Sequence, residues 1–349
     1  MDRPLVATRD PALADELARL AAAAGAALVV ESSAESVLRR WTSAPLLLIG
    51  ADLVAELVEL APPRRPGVHV VAWSPPPAGA FREALLVGAE RVVELPVGAE
   101  FVAELLTDLG EVGRAEGVLV GVVGGSGGAG ATTLACGLGQ VAAARGPSLV
   151  VDLDPLGPGC DRVLALDEAP GVRWDSLGTS SGRLSGRSLR EAVPRRDGLG
   201  VLAWPPGPGT RLDAGAVREA LSAARRGHDT VVIDVPRSVD ALVAETLARC
   251  ALIAVVVLPT VTGVTSAARW VAASPDRERC GLVVRGAGAD PRQMADLVGA
   301  PVLATMADQR GLAEAIDLGL GPVRSRRGPL AATVRDVLAA LVPGSVAAA

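Results

Sequence analysis

The residues best suited to chemistry in this chain lie together in Gly125-Ser-Gly-Gly-Ala-Gly-Ala-Thr-Thr133. In the phosphate-loop spacing GxxxxGK[ST], main-chain N–H groups cradle phosphates, a lysine reaches the β and γ oxygens, and a hydroxyl binds magnesium. Gly125, Gly130 and Thr132 keep that spacing. Ser126, Gly127, Gly128 and Ala129 form the loop between them, Thr133 follows, and Ala131 stands where the lysine belongs. The chain contains no lysine, and all 34 of its basic residues are arginines. Asparagine and tyrosine are also absent, the pattern of strong codon bias in a GC-rich genome. Bias alone would have turned a lysine kept for its charge into arginine, so position 131 has given up its charge outright.

Carboxylates recur where such a loop would use them. Ser148-Leu-Val-Val-Asp-Leu-Asp-Pro155 reads as a strand ending in Asp152 and Asp154, and Thr230-Val-Val-Ile-Asp-Val-Pro236 as a strand ending in Asp234. Acids at strand ends beside a phosphate loop can hold magnesium through water or orient an attacking water. Cys136, Cys160, Cys250 and Cys280 show no CxxC spacing and sit in apolar or helical contexts, so they read as reduced core thiols and not as a metal site.

These groups need elements to position them. Val118 to Val123 reads as a buried strand and Thr132 to Ala144 as a helix, which aims free N–H groups and the positive end of the helix dipole at an anion. Ahead of them, strands near 4–8, 27–30, 45–49, 68–72 and 91–95 alternate with helices through Leu20, over 37–41, 54–60, 80–87 and 101–109. Five such units imply a parallel sheet covered on both faces. Gly110 to Gly117 is polar and glycine-bearing and reads as a linker. The expected class is α/β, with two doubly wound parallel-sheet domains at 1–110 and 118–349 joined by 111–117.

At 349 residues, 50% of them hydrophobic, the chain can bury two cores. A net charge of −5 with dispersed arginines argues against nucleic acid as a partner; Arg324-Ser-Arg-Arg327 is the one basic run and reads as solvated surface. The longest apolar run, Ala251 to Leu258, is far short of the ~20 residues that span a bilayer, and a cytoplasmic protein is expected. The tail Leu330 to Leu341 is amphipathic but carries one Arg against one Asp and no aromatic anchor, so it reads as a packing helix.

The first half resembles the receiver domain of response regulators, with Pro96 after its fifth strand. The acceptor aspartate that resemblance implies falls near Gly50 and the lysine falls on Leu95, which makes residues 1–110 a pseudo-receiver for protein contacts; Asp10 and Asp52 are the nearest acids. From Val118 to about Leu341 the chain resembles the MinD/ParA family of deviant phosphate-loop ATPases, within it the CpaE/TadZ branch and its actinobacterial septum-site-determining members. The family loop KGGxGK[ST] aligns on Ser126-Gly-Gly-Ala-Gly-Ala-Thr132, placing the signature lysine at Ser126 and the ordinary one at Ala131. The switch I pair maps to Asp152 and Asp154, the switch II DxP motif to Asp234-Val-Pro236, and Arg285 sits where members carry an adenine-reading asparagine. Ala254 to Pro259, Pro301 to Pro322, Arg173-Trp174 and Leu199 to Trp204 resemble further family segments.

The resemblance implies ATP and Mg²⁺ as cofactors, with Thr132 and Asp234 on the metal and Asp152 and Asp154 as the catalytic pair. It implies protein partners from cell-division or Flp/Tad pilus and secretion machinery, recruitment to the membrane or pole only through a partner, and leaves a homodimer open. Losing a charged hydrogen bond to phosphate costs about 1.5–3 kcal/mol and takes a site of about micromolar affinity to about 0.1 mM. Each absent transition-state donor costs roughly 10²–10³ in rate, so hydrolysis is expected to be weak or absent. Arg145, Arg173 and Arg237 are the candidate surrogate cations. The competing class is an NAD(P)-binding oxidoreductase: Gly125 to Gly130 also satisfies GxGxxG, and Asp152 stands near the ribose-acid offset of about 20 residues. Thr132-Thr133 and Asp234-Val-Pro236 have no place in that reading.

Overall fold

The computed structural model describes residues 3–111, 116–177, 184–207, 212–238, 240–286, 290–325 and 327–341. Linker residues 112–115, Arg326 of the basic run and residues 342–349 lie outside the described residues. The chain divides into two compact units, Met1–Ala115 and Glu116–Ala349.

In the first unit, β1 (Leu5–Ala7), β2 (Val29–Glu31), β3 (Leu47–Gly50), β4 (Val68–Trp73) and β5 (Arg91–Leu95) form one sheet in the order β2-β1-β3-β4-β5. Every pairing is parallel. That is the flavodoxin-like doubly wound order, which requires right-handed crossovers and helices on both faces. The strands accordingly bury two separate cores: Leu5, Leu47 and Ile49 face one, and Val6, Leu48 and Val71 the other. Asp10 caps the helix Pro11–Ala23 and Ser33 the helix Ala34–Arg40, each accepting from the first-turn amides.

The second unit is a sheet of β6 (Val118–Gly124), β7 (Ser148–Asp152), β8 (Arg195–Arg196), β9 (Leu199–Leu202), β10 (Thr230–Asp234), β11 (Leu252–Val257), β12 (Cys280–Arg285) and β13 (Val302–Met306). Its order is β13-β12-β11-β6-β10-β7-β9-β8, parallel except for the β8–β9 pair at one edge. Leu119, Val123, Val231 and Ile233 point into one core, and Val120, Val122 and Val232 into the other, which is why β6 and β10 read as unbroken apolar runs. The helix Ala131–Ala143 lies close on this sheet: a Cβ added at Gly139 would meet Val150 Cγ2 at 2.4 Å.

This order removes the dinucleotide alternative. In that fold the strand following the glycine loop pairs directly with the strand preceding it. Here β10 lies between β6 and β7, hydrogen-bonded to both. Among the described residues no helix is long and apolar enough to cross a membrane.

Candidate functional site

The loop leaves the carboxyl end of β6, the central strand between β10 and β11, and enters the helix Ala131–Ala143. Gly128 (φ 72°) and Gly130 (φ 101°) take left-handed conformations open to glycine. A Cβ at Gly127 or Gly128 would meet nothing within 4 Å, so this stretch of main chain faces open space. Gly130 caps the helix without any side-chain hydrogen bond, which leaves the first-turn amides of Ala131, Thr132 and Thr133 for an anion. Gly125 departs from the expected role. Its N–H donates to Val256 O of β11 at 2.8 Å, and its missing side chain lets Ala267 approach; it anchors the loop and has no amide to offer a phosphate.

The strand-end acids converge unequally. Asp234 stands opposite Asp152 in the β10–β7 register. Asp152 accepts from the N–H of Asp154 (3.0 Å) and of Cys160 (2.9 Å), and Trp174 Nε1 donates to its carbonyl at 2.7 Å. The Thr132 hydroxyl hydrogen-bonds the Asp234 carboxylate, and the Cys160 thiol donates to Asp234 Oδ2 at 3.6 Å. Burial pushes the Asp152 carboxyl up to about 6 and the Asp234 carboxyl up to about 7. Asp154 does not join them. It is half-buried on the following turn, where Oδ1 accepts from Leu156 N–H, so the structure assigns it a turn-forming contact.

Thr132 and Asp234 give magnesium the oxygen donors it prefers. The third group beside them is a thiol, which a hard cation does not favour. Spacing along the chain gave no sign of Cys160, because it enters from the short helix Cys160–Val163 after a turn.

Two arginines hold the loop from outside. Arg237 Nη1 donates to Gly125 O (3.3 Å) and to Ser266 Oγ (2.8 Å). Arg285 Nη1 donates to Ala129 O (3.2 Å) and Gly128 O (3.4 Å), while its Nε donates to Asp308 at 3.2 Å. Arg285 also lines a cavity of about 550 Å³ with Gly130, Thr133, Asp308 and Gln309, beside the loop. Of the other surrogates, Arg173 pairs with Asp161 and the carbonyl of Asp167, and Arg145 sits beyond the far end of the helix Ala131–Ala143.

At the carboxyl edge of the first unit, both nearest acids are engaged. Asp52 accepts from Thr8 Oγ1 (2.8 Å) and Arg9 N–H (2.6 Å), its side chain filling the space that a Cβ at Gly50 would need. Asp10 caps a helix and accepts from Trp73 Nε1 at 3.0 Å.

The fold defines a class: a CheY-like N-terminal unit followed by a parallel-sheet unit with a MinD/ParA-like fold. Residues 7–117 match the family model described as the Rv3660c-like, CheY-like N-terminal domain. Two Mycobacterium tuberculosis proteins, the uncharacterized protein Rv3660c of strain ATCC 25618 / H37Rv and the uncharacterized protein MT3760 of strain CDC 1551 / Oshkosh, are each 36% identical over 343 residues, covering 95% of this chain and 96% of theirs. The chain belongs to this Rv3660c-like family. Among solved structures it is similar to a ParA family ATPase from Chlorobium tepidum TLS (TM-score 0.56, 17% identity, 64% of this chain and 98% of that one). It is likewise similar to the MinC:MinD cell division complex of Aquifex aeolicus (0.55, 17%, 66% and 98%). A third likeness is to the septum site-determining protein MinD of Pyrococcus horikoshii OT3 with Mg-ADP (0.50, 17%, 63% and 93%).

Proposed function

We propose that this chain is a MinD/ParA-like spatial regulator of the CpaE/TadZ type, with a deviant phosphate loop that holds ATP loosely and turns it over slowly or not at all. Its process would be septum placement or localisation of Flp/Tad pilus or secretion machinery, through protein partners in the cytoplasm and with the membrane reached by way of a partner. The observation that carries this reading is the loop itself. Its amides and the open main chain at Gly127 and Gly128 stand at the carboxyl edge of a parallel sheet beside Thr132 and Asp234, while positions 126 and 131 hold a serine and an alanine. When bound, magnesium would supply charge neutralisation at the terminal phosphates. The residues here bind and orient: loop amides take phosphate oxygens, and the cavity beside Arg285 receives the base.

Calorimetric titration with magnesium-ATP tests this. The wild type is expected to bind with Kd about 0.1 mM and release phosphate roughly 10²–10³ more slowly than Ala131→Lys. Tight binding with brisk phosphate release by the wild type would refute the disarmed site. No binding by either protein would remove nucleotide from the reading.

A further inference from the structure

Three donors from three elements meet beneath the phosphate loop. Asp152 closes β7, Asp234 closes β10, and Cys160 opens the helix Cys160–Val163. One ligand atom from each lies within 4.8 Å of the other two, and all three residues are buried, at 0%, 3% and 0% exposure for Asp152, Asp234 and Cys160.

One edge of the cluster has a length that zinc would span. Cys160 Sγ is 3.6 Å from Asp234 Oδ2. A tetrahedral zinc with bonds of roughly 2.3 Å to sulfur and 2.0–2.2 Å to oxygen spans about 3.5 Å along that edge. Charge points the same way. Asp154 acts on both Asp152 and Asp234, Asp161 acts on Asp152, and Asp161 is itself paired with Arg173. Buried carboxylates are normally paired with a cation or bound to a metal. Magnesium is a poor occupant, since it demands six hard oxygens and sheds water reluctantly, whereas a thiolate selects zinc. An outer shell is already present: the amides of Asp154 and Cys160 orient Asp152, and the Thr132 hydroxyl orients Asp234.

We propose that Asp152, Cys160 and Asp234 form a site that takes zinc in preference to magnesium and loads without nucleotide, with zinc competing for the Asp234 carboxylate that the nucleotide reading gives to magnesium. Binding displaces the Cys160 thiol proton to solvent and leaves a fourth position for water. The site shares Asp234 with the nucleotide reading, but its geometry rests as well on the Cys160 thiol, which that reading does not use.

Cobalt(II) is the probe, titrated into the reduced, nucleotide-free full-length chain. The expected result is stoichiometric uptake with a thiolate-to-cobalt charge-transfer band, bleached by added zinc and untouched by excess magnesium. Cys160→Ser should abolish the band and weaken zinc binding at least roughly tenfold, the loss that even an outer-shell partner causes. Cys250→Ser and Cys280→Ser, which alter thiols elsewhere in the core, should keep it. Absence of the band in the wild type overturns the proposal without reference to any variant. So does its survival in Cys160→Ser, or its loss to magnesium. Magnesium-ATP calorimetry on a metal-free portion of the same preparation separates the two readings: cobalt uptake without nucleotide binding leaves the zinc site standing and removes the nucleotide function, and the converse result does the reverse.

Discussion

His228 shows how one buried residue sets a pH dependence. Its Nδ1 hydrogen-bonds Ala224 O at 3.0 Å, its Nε2 is buried without a partner, and burial pushes its pKa down from 6.5 to about 4. The unfolded chain therefore binds the extra proton first, so this residue's contribution is present above pH 6.5 and is lost as pH falls toward 4, by about 3 kcal/mol in all. Asp152 and Asp234 act oppositely, because their folded pKa values are raised and their contribution weakens as pH rises through the same window. Urea unfolding of wild type and His228→Gln across pH 4–7 isolates the histidine; a stability difference that does not change with pH would contradict the assignment. In the first unit, the contacts that occupy Asp52 and Asp10 lead us to expect no mass shift on either after acetyl phosphate treatment. Residue placement was legible in the sequence where it followed strand ends, as for Asp152 and Asp234. Cys160 was not legible, since its ligand-like position arises only from folding the turn after Asp154 back under the sheet. Nor was the spent amide of Gly125, which depends on a carbonyl of β11.

Elements were legible in proportion to their apolar runs. The long buried strands β4, β6, β10 and β11 announce themselves, whereas β8 is two exposed arginines whose strand character comes only from pairing with β9. Strand order was beyond reach, because placing β10 between β6 and β7 depends on crossover connections and not on local pattern. The helix Ala131–Ala143 illustrates a second gap: two glycines that weaken it as a helix are what let it dock. Replacing Gly139 with alanine gains about 1 kcal/mol of helix propensity but forces a methyl to 2.4 Å from Val150 Cγ2 and 3.0 Å from Leu199 Cδ1, an overpacking that costs about 1–3 kcal/mol. A net destabilisation is expected in urea titration. Gly137→Ala, whose nearest contact would be 3.3 Å from Val323, should lose less. Equal effects would show that helix propensity, and not the approach to the sheet, governs both sites.

Each half of the molecule has its own pair of apolar layers, and among the described residues no core cluster draws on both. We therefore expect fragments 1–115 and 116–349 to fold separately, each with a cooperative thermal transition; a fragment that stays unfolded by circular dichroism would show that the halves depend on each other. The guanidinium groups that grip the loop carbonyls carry a last consequence. Arg237 ties Gly125 to Ser266, and Arg285 ties Gly128 and Ala129 to Asp308, so the curve of the loop is braced from the segment after β10 and from the end of β12. On the proposed reading, a visitor would then forfeit little chain freedom on docking, and a receptacle without its strongest electrostatic hook would still close on its guest through readiness of shape.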